Sequence, residues 1–291
     1  MCNDYRKAQD VFEKAVYLSG RMLKSGLDNR KPLVCSSDVN DKNRQSDAYT
    51  EYDVISNNIL IKYIVPYLFE VLNVENIDVM SEENKRLVCY TKGGAIDCGV
   101  SSGDYCLVID PLCGSIPYSR GVPDFVVSVA LVKEGMPVVG VVYDPIREEL
   151  FSAILGQGSF LNGNVINASS TNSLAASYLS IEHKVIKKYK SKYLDEILNK
   201  ILRLRVAGTC GLELCYVACG RIDALIKCDQ PLYDYVSGML ILKEAAGVEC
   251  FTNFDGKSEI IPTINFEKNT SFIATNGFIH EELASYTKNL M

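Results

Sequence analysis

The stretch from Val122 to Gly163, VPDFVVSVALVKEGMPVVGVVYDPIREELFSAILGQGSFLNG, constrains the fold more than any other part of the chain. Three runs rich in Val, Phe and Ile (Phe125–Lys133, Val138–Tyr143 and Leu150–Ile154) are separated by short turns at Glu134-Gly135 and Asp144-Pro145. β-branched and aromatic residues suit a pleated surface, and connections this short join antiparallel neighbours. The spacing predicts an antiparallel meander, extended by QGSFLNG. From about Ala176 the pattern changes to YLSIE, a Lys-rich helix over 184–200, LRLRVAG, a helix over 210–219, IDALIK, a helix over 234–246, VECFT, FIATN and a closing helix. Alternating strands and helices predict an α/β lobe with helices on both sheet faces. The polar run ASSTNS, within 165–175, marks the boundary between an N-terminal α+β lobe over 1–170 and a C-terminal α/β lobe over 171–291.

Upstream of the meander, apolar residues at helical spacing over 5–24 predict an amphipathic helix. A polar loop over 31–47 follows, then a second helix from Asp53 to Leu72, which Pro66 is expected to kink or shorten. The polar stretch from Asn84 to Gly103 is long for a connection, and reads either as a substrate-related feature or as a surface loop.

With 47% hydrophobic and 23% charged residues over 291 positions, the chain has a globular composition. Its net charge of −6 argues against a nucleic-acid polymer as partner. Two His residues make His-rich metal sites and His-centred triads poor explanations of any activity. The start lacks the apolar run of a signal peptide, and no stretch approaches the roughly 18 uninterrupted apolar residues of a membrane span. Eleven Cys, an odd number with no Cys-x-x-Cys pair, point to a reduced cytoplasmic protein rather than a disulfide framework or zinc knuckle.

Acidic residues recur at the ends of predicted elements: Asp47 and Asp53 flanking Thr50, Glu82 and Glu83 side by side, Asp110 after a buried strand, and Asp234 at a helix start. Each is readable singly as a cap or a surface charge. Together, carboxylates from several strand ends and helix starts can converge on one hard divalent cation such as Mg²⁺.

In order and with their flanks, Asp47-x-x-Thr50-x-x-Asp53, Ser81-Glu82-Glu83, Asp110-Pro111-Leu112-Cys113-Gly114-Ser115 and Tyr233-Asp234-x-x-Ser237-Gly238 resemble the inositol monophosphatase superfamily. The resemblance covers nearly the whole chain. It implies an αβαβα sandwich, a homodimer, and Mg²⁺-dependent, lithium-sensitive hydrolysis of a small phosphorylated metabolite. Inositol monophosphates, bisphosphate nucleotides and sugar phosphates are the candidate substrates. Carried over by position, Glu83, Asp110 and the Leu112 carbonyl would hold a first Mg²⁺, and Asp110 and Asp234 a second, together with residue 113. Asp53, Glu83 and Ser115 would orient and deprotonate the attacking water, and the N–H groups of Gly114 and Ser115 would cradle the phosphate.

Cys113 stands where that pattern has a second Asp. A neutral thiol is a poor ligand for Mg²⁺. Three outcomes stay open: one tight Mg²⁺ with a weakened second site, a preference for Mn²⁺ or Zn²⁺ with Cys113 as thiolate, or a catalytically impaired protein that binds a phospho-ligand or partner. Lys227 stands seven residues before Asp234, where inositol-cleaving members carry an acid. It reads either as a strand-end surface Lys or as the mark of a substrate with a second anionic group. Arg120 either faces the pocket or is solvated. A Cys-nucleophile phosphatase is disfavoured, because an Arg is needed at position 119, which is Ser.

Overall fold

The computed structural model describes residues 2–29, 51–84, 86–97, 103–257 and 268–290; Asp47 and Thr50 lie outside them. Nine strands form the first sheet: β1 (Asn76–Ser81), β2 (Leu87–Thr91), β3 (Gly94–Asp97), β4 (Tyr105–Cys113), β5 (Val126–Lys133), β6 (Met136–Asp144), β7 (Glu149–Ile154), β8 (Ser159–Leu161) and β9 (Asn164–Ile166). Their order is β3-β2-β1-β4-β5-β6-β7-β8-β9. From β4 to β9 every neighbour is antiparallel, the meander expected from the sequence, while β1 runs parallel to β4. Within the stretch read as a loop from Asn84, β2 and β3 form an antiparallel hairpin at the sheet edge. β3 is exposed throughout, so it has no buried face to print an apolar period on the sequence.

Strand β5 shows how the layers arise. Val127, Val129 and Leu131 join the core with Phe12 and Ala15 of α1 (Cys2–Gly26) and with Leu60 and Ile64 of α2 (Glu51–Leu72). Alternate residues Val126, Ala130 and Val132 point the other way, into a core shared with α6 (Cys210–Ala218) and α7 (Leu232–Ala246). Period-two alternation thus buries both faces, so the run reads as continuously apolar. Pro66 does not end α2; it lies on the exposed face and the helix continues to Leu72. By length and composition alone α2 could cross a membrane, but its Leu60, Ile64, Val65 and Leu68 are buried in the outer core.

The second sheet follows β9 after a break between Ile166 and Tyr178. It comprises β10 (Tyr178–Ile181), β11 (Arg203–Arg205), β12 (Ala224–Gln230), β13 (Phe251–Asn253) and β14 (Thr270–Thr275), ordered β11-β10-β12-β14-β13. β10, β11 and β12 are parallel, and β13 and β14 antiparallel. The Lys-rich helix is two helices, α4 (His183–Lys188) and α5 (Lys192–Lys200), the second capped by the Ser191 hydroxyl on the Leu194 N–H. With α8 (His280–Thr287) they cover the outer face of this sheet, where Val185, Leu194 and Leu283 meet Ile181 and Ile226. Helices α6 and α7 fill the space between the sheets, giving five layers in αβαβα order. Val108 and Val142 of the first sheet share one core with Leu225 and Phe272 of the second.

Candidate active site

The carboxyl end of β4 carries the Asp-Pro-Leu-Cys-Gly-Ser run. Its pairing with β5 slips between Asp110 and Cys113, and such an irregularity re-aims side chains at the end of a strand. The Asp110 carboxylate accepts the Leu112 N–H (3.3 Å), and the Pro111 carbonyl accepts the Ser56 hydroxyl of α2 (2.6 Å). Ser56 in turn lies 2.5 Å from Ser19 of α1, so both outer helices pin this turn. Gly114 adopts φ 100°, and a Cβ there would come within 2.7 Å of the Asp124 carbonyl and the Thr209 hydroxyl. Only glycine fits. The short helix α3 (Ser115–Arg120) starts at once, with the Ser115 hydroxyl 3.3 Å from the Asp53 carboxylate and 3.1 Å from the Leu112 carbonyl.

Because β1 is parallel to β4, Ser81 lies opposite Ile109, and the next residue, Glu82, arrives beside Asp110. Glu82 and Glu83 share one 3₁₀ turn, and carboxylate oxygens of Asp53, Glu82 and Glu83 lie within 4.8 Å of one another. Burial drives the Glu82 carboxyl well above the usual carboxylate range, reinforced by Asp110, Asp234, Asp53 and Glu83. Asp110 is raised by burial and then by Asp234, against hydrogen bonds from Cys113 and Glu82 that pull it back. Asp234 sits in the first turn of α7. Ser237, one turn on, hydrogen-bonds Ser128 of β5, and Gly238 packs so closely on α6 that a Cβ would lie 2.7 Å from Leu214. The Asp-x-x-Ser-Gly spacing therefore seats Asp234 by close packing of the middle layer. Crowded oxygen donors that raise one another's proton affinity are a fit for a hard divalent cation.

Glu82, Asp110, Leu112, Cys113, Gly114, Ser115 and Asp234 all line a single cleft of about 510 Å³. The sequence reading put the cation-holding role on Glu83; the structure turns Glu82 towards Asp110 and the cleft, with Glu83 beside Asp53 and Glu82. Which glutamate lies beside Asp110 depends on strand register, which a pair of adjacent glutamates does not reveal, and both stay in one carboxylate cluster with Asp53. Cys113 is buried, accepts the Gly211 N–H at 3.5 Å and hydrogen-bonds Asp110. Burial, then Asp110 and Asp234, push its thiol well up. These surroundings favour neither a thiolate ligand nor a thiolate nucleophile.

Lys227 is not a surface residue. It is 1% exposed, and its Nζ lies 2.6 Å from the Glu213 carboxylate of α6. Burial alone would lower its pKa, but Glu213, with Cys210 and Glu182, holds it above the ordinary Lys value. Glu213 also accepts the Ser180 hydroxyl of β10. Arg120 is exposed at the end of α3 and does not line the cleft, while Arg205 of β11 does. Sequence reading missed Glu213, Glu182 and Arg205. The signal for Glu213 was a lone acid inside the apolar helix GTCGLELC, matched by a lone Lys in IDALIK.

The family model "Inositol monophosphatase family" matches residues 4–291. Inositol monophosphatase 1 of Solanum lycopersicum is 34% identical over 193 residues, 61% of this chain and 70% of that protein. The fructose-1,6-bisphosphatase/inositol-1-monophosphatase of Thermotoga maritima is 33% identical over 189 residues, 65% and 70% of the two chains. Other relatives, such as inositol monophosphatase 2 of Solanum lycopersicum, are matched over only about half their length (56%). The solved inositol monophosphatase of Anabaena superposes with TM-score 0.74 at 25% identity, covering 98% of this chain and 96% of that one. A suhB protein from Bartonella henselae, at 23% identity and TM-score 0.76, shares the fold over 97% and 98% of the chains. With the family model matched over residues 4–291 and the fold shared over nearly the whole chain, the chain belongs to the inositol monophosphatase family, a family of phosphoric monoester hydrolases.

Proposed function

We propose that the protein hydrolyses a small phosphomonoester in this cleft with Mg²⁺ as cofactor. The observation that carries the reading is the convergence of Glu82, Asp110 and Asp234 from three separate elements on one cleft beside the Asp53–Ser115 contact. Glu82, Asp110, the Leu112 carbonyl and Asp234 are the residues that would hold the cation, with Glu83 supporting Asp53 and Glu82. A divalent cation, when bound, lowers the pKa of a water and neutralises charge on the transferring phosphoryl group. The proton lost by the attacking water would pass through the Ser115 hydroxyl, which contacts both Asp53 and the Leu112 carbonyl, to the Asp53 carboxylate. The glycine-led start of α3 lets the backbone at Gly114 and Ser115 approach an oxyanion closely. Attack is direct, by water rather than by Cys113, whose thiol is buried and pushed well above its ordinary value.

Cys113 in place of a carboxylate supports one tightly held cation and a weakened second site. The reading of an impaired binding protein draws no support from a site that keeps its carboxylates and its glycine turn. Eight free cysteines among the described residues suit a reducing compartment. The test is inorganic phosphate release from p-nitrophenyl phosphate with Mg²⁺, with EDTA, and with Mg²⁺ plus lithium. Turnover that needs Mg²⁺ and falls with lithium is expected. Turnover indifferent to EDTA would overturn the proposal.

A further inference from the structure

The active-site cleft has a carboxylate wall, from the nine-stranded sheet, and a facing wall from the five-stranded sheet that carries Lys227. A second cleft, of about 530 Å³, shares no lining residue with it. Helix α1 supplies Asp10, Glu13, Lys14 and Tyr17, an i, i+3, i+4, i+7 stripe on the face opposite its buried Val11, Phe12, Ala15 and Val16. Strands β6 and β7 and their turn supply Tyr143, Glu148 and Leu150. Gly20 seats the Tyr143 ring: a Cβ there would lie 2.7 Å from it and 3.1 Å from Pro145, so the bare backbone lets the ring sit beneath α1. A concavity of this volume suits a small organic molecule.

The lining is aromatic and short of positive charge. Tyr143 is 4% exposed, yet its hydroxyl makes no hydrogen bond among the described residues. It is not one of the unpaired atoms sealed inside the protein, which belong to Asn84, Arg205 and Glu213, so it is reachable from the cleft. Tyr17 stands half-exposed beside it, ring centroids 5.7 Å apart, and the Arg21 guanidinium lies 5.9 Å from the Tyr17 ring, which thus already takes one cation. Three carboxylates face one ammonium. Glu148 is held by Lys24 at 2.8 Å, whereas Glu13 accepts the neutral Gln9 amide at 2.6 Å. Asp10 and Lys14 are exposed and form no ion pair among the described residues. Asp10 and Glu13 against Lys14 therefore leave one negative charge uncompensated. Burial raises the Tyr143 phenol first, then Glu148, Tyr17 and Asp144, with Arg21 opposing, so the charge near its hydroxyl is negative as well. Ring faces and carboxylates around an unpaired hydroxyl complement a cation with an apolar body.

We propose that this second cleft binds a small organic cation, an ammonium or guanidinium carried on an apolar body. The charged group meets Asp10, Glu13 and the Tyr143 hydroxyl, and the body lies against Tyr17 and Leu150. The site stands apart from the active-site cleft and does not depend on the phosphatase reading. The experiment is calorimetric titration of phenethylamine, phenethyl alcohol and phenylacetate into the full chain at neutral pH, with Mg²⁺ present to compete at the active-site carboxylates. Phenethylamine should saturate one site, with the alcohol about tenfold weaker, the worth of a charge-assisted hydrogen bond, and phenylacetate weaker still. Asp10→Asn and Tyr143→Phe remove no hydrogen bond or ion pair among the described residues, and each should weaken phenethylamine about fivefold. Tyr17→Ala should weaken it by a similar factor through the lost ring face. Asp110→Asn, in the other cleft, should leave it unchanged. No saturable binding, an alcohol or acid as tight as the amine, affinity unchanged in any of the first three variants, or binding lost in Asp110→Asn would overturn the proposal.

Discussion

On the nine-stranded-sheet side of the cleft, Glu82 and Asp110 are buried among like charges, and both carboxyls are driven upward. On the five-stranded-sheet side, Lys227 is buried as deeply, yet it sits 2.6 Å from Glu213 and keeps its charge. The Lys227–Glu213 pair is balanced within the protein; the carboxylates opposite meet like charges. Asp110 and Lys227 are both 1% exposed, so the sign and distance of the neighbours decide which charges persist. Each contrast below pulls on one wall and leaves the other as an internal reference.

The largest effect belongs to the Lys227–Glu213 pair. Lys227→Met strands the Glu213 carboxylate in the core, and the loss of folding stability in urea unfolding should be about 3–5 kcal/mol. Adding Glu213→Leu should recover most of it, because a buried ion pair is worth little more than well-packed apolar groups. A double variant as unstable as the single one would show that the pair is not the reason for the burial. On the other wall, Asp110→Asn and Glu82→Gln should each slow Mg²⁺-dependent turnover about a hundred- to thousandfold, as losing one aimed electrostatic group does elsewhere. Glu83→Gln should cost about tenfold or less. Equal losses at Glu82 and Glu83 would put both carboxylates on the cation.

The pH dependence of stability separates the walls further. Glu82 and Asp110 hold protons in the folded, cation-free protein that the unfolded chain releases near its ordinary values of 4.5 and 3.8. Their contribution is fully present below those values and is lost as pH rises through the raised folded values. Thermal unfolding in EDTA should therefore fall in temperature as pH rises above the carboxylate range. Mg²⁺ at a hundredfold excess over its Kd should restore about 2.7 kcal/mol, with the larger gain at higher pH. A Tm in EDTA that is flat with pH would mean the two carboxyls are not strained by burial. The smallest change is Cys113→Asp, which adds a hard ligand and should lower the Mg²⁺ concentration for half-maximal rate by about tenfold. An unchanged requirement would place position 113 outside the cation's reach.

Much of this was legible from residue order. The meander printed itself because β5 and β6 bury both faces, and the Asp-Pro-Leu-Cys-Gly-Ser run announced a strand end followed by a turn that only glycine accepts. The β2–β3 hairpin was not legible, since exposed edge strands carry no apolar alternation. Seeing that Glu82 is the one brought beside Asp110 needed the β1–β4 register, in which Ser81 faces Ile109. Pairing Lys227 with Glu213 needed the packing of α6 against β12; sequence alone left Lys227 looking like a strand-end surface charge.

Calorimetric titration of Mg²⁺ into the cation-free protein, in two buffers of different ionisation heat near neutral pH, tests the claim about the carboxylate wall most directly. Saturable binding with a buffer-dependent heat, the mark of protons displaced from Glu82 and Asp110, and loss of that binding in Asp110→Asn, is the result expected. Absence of binding, or an identical titration in Asp110→Asn, would contradict it.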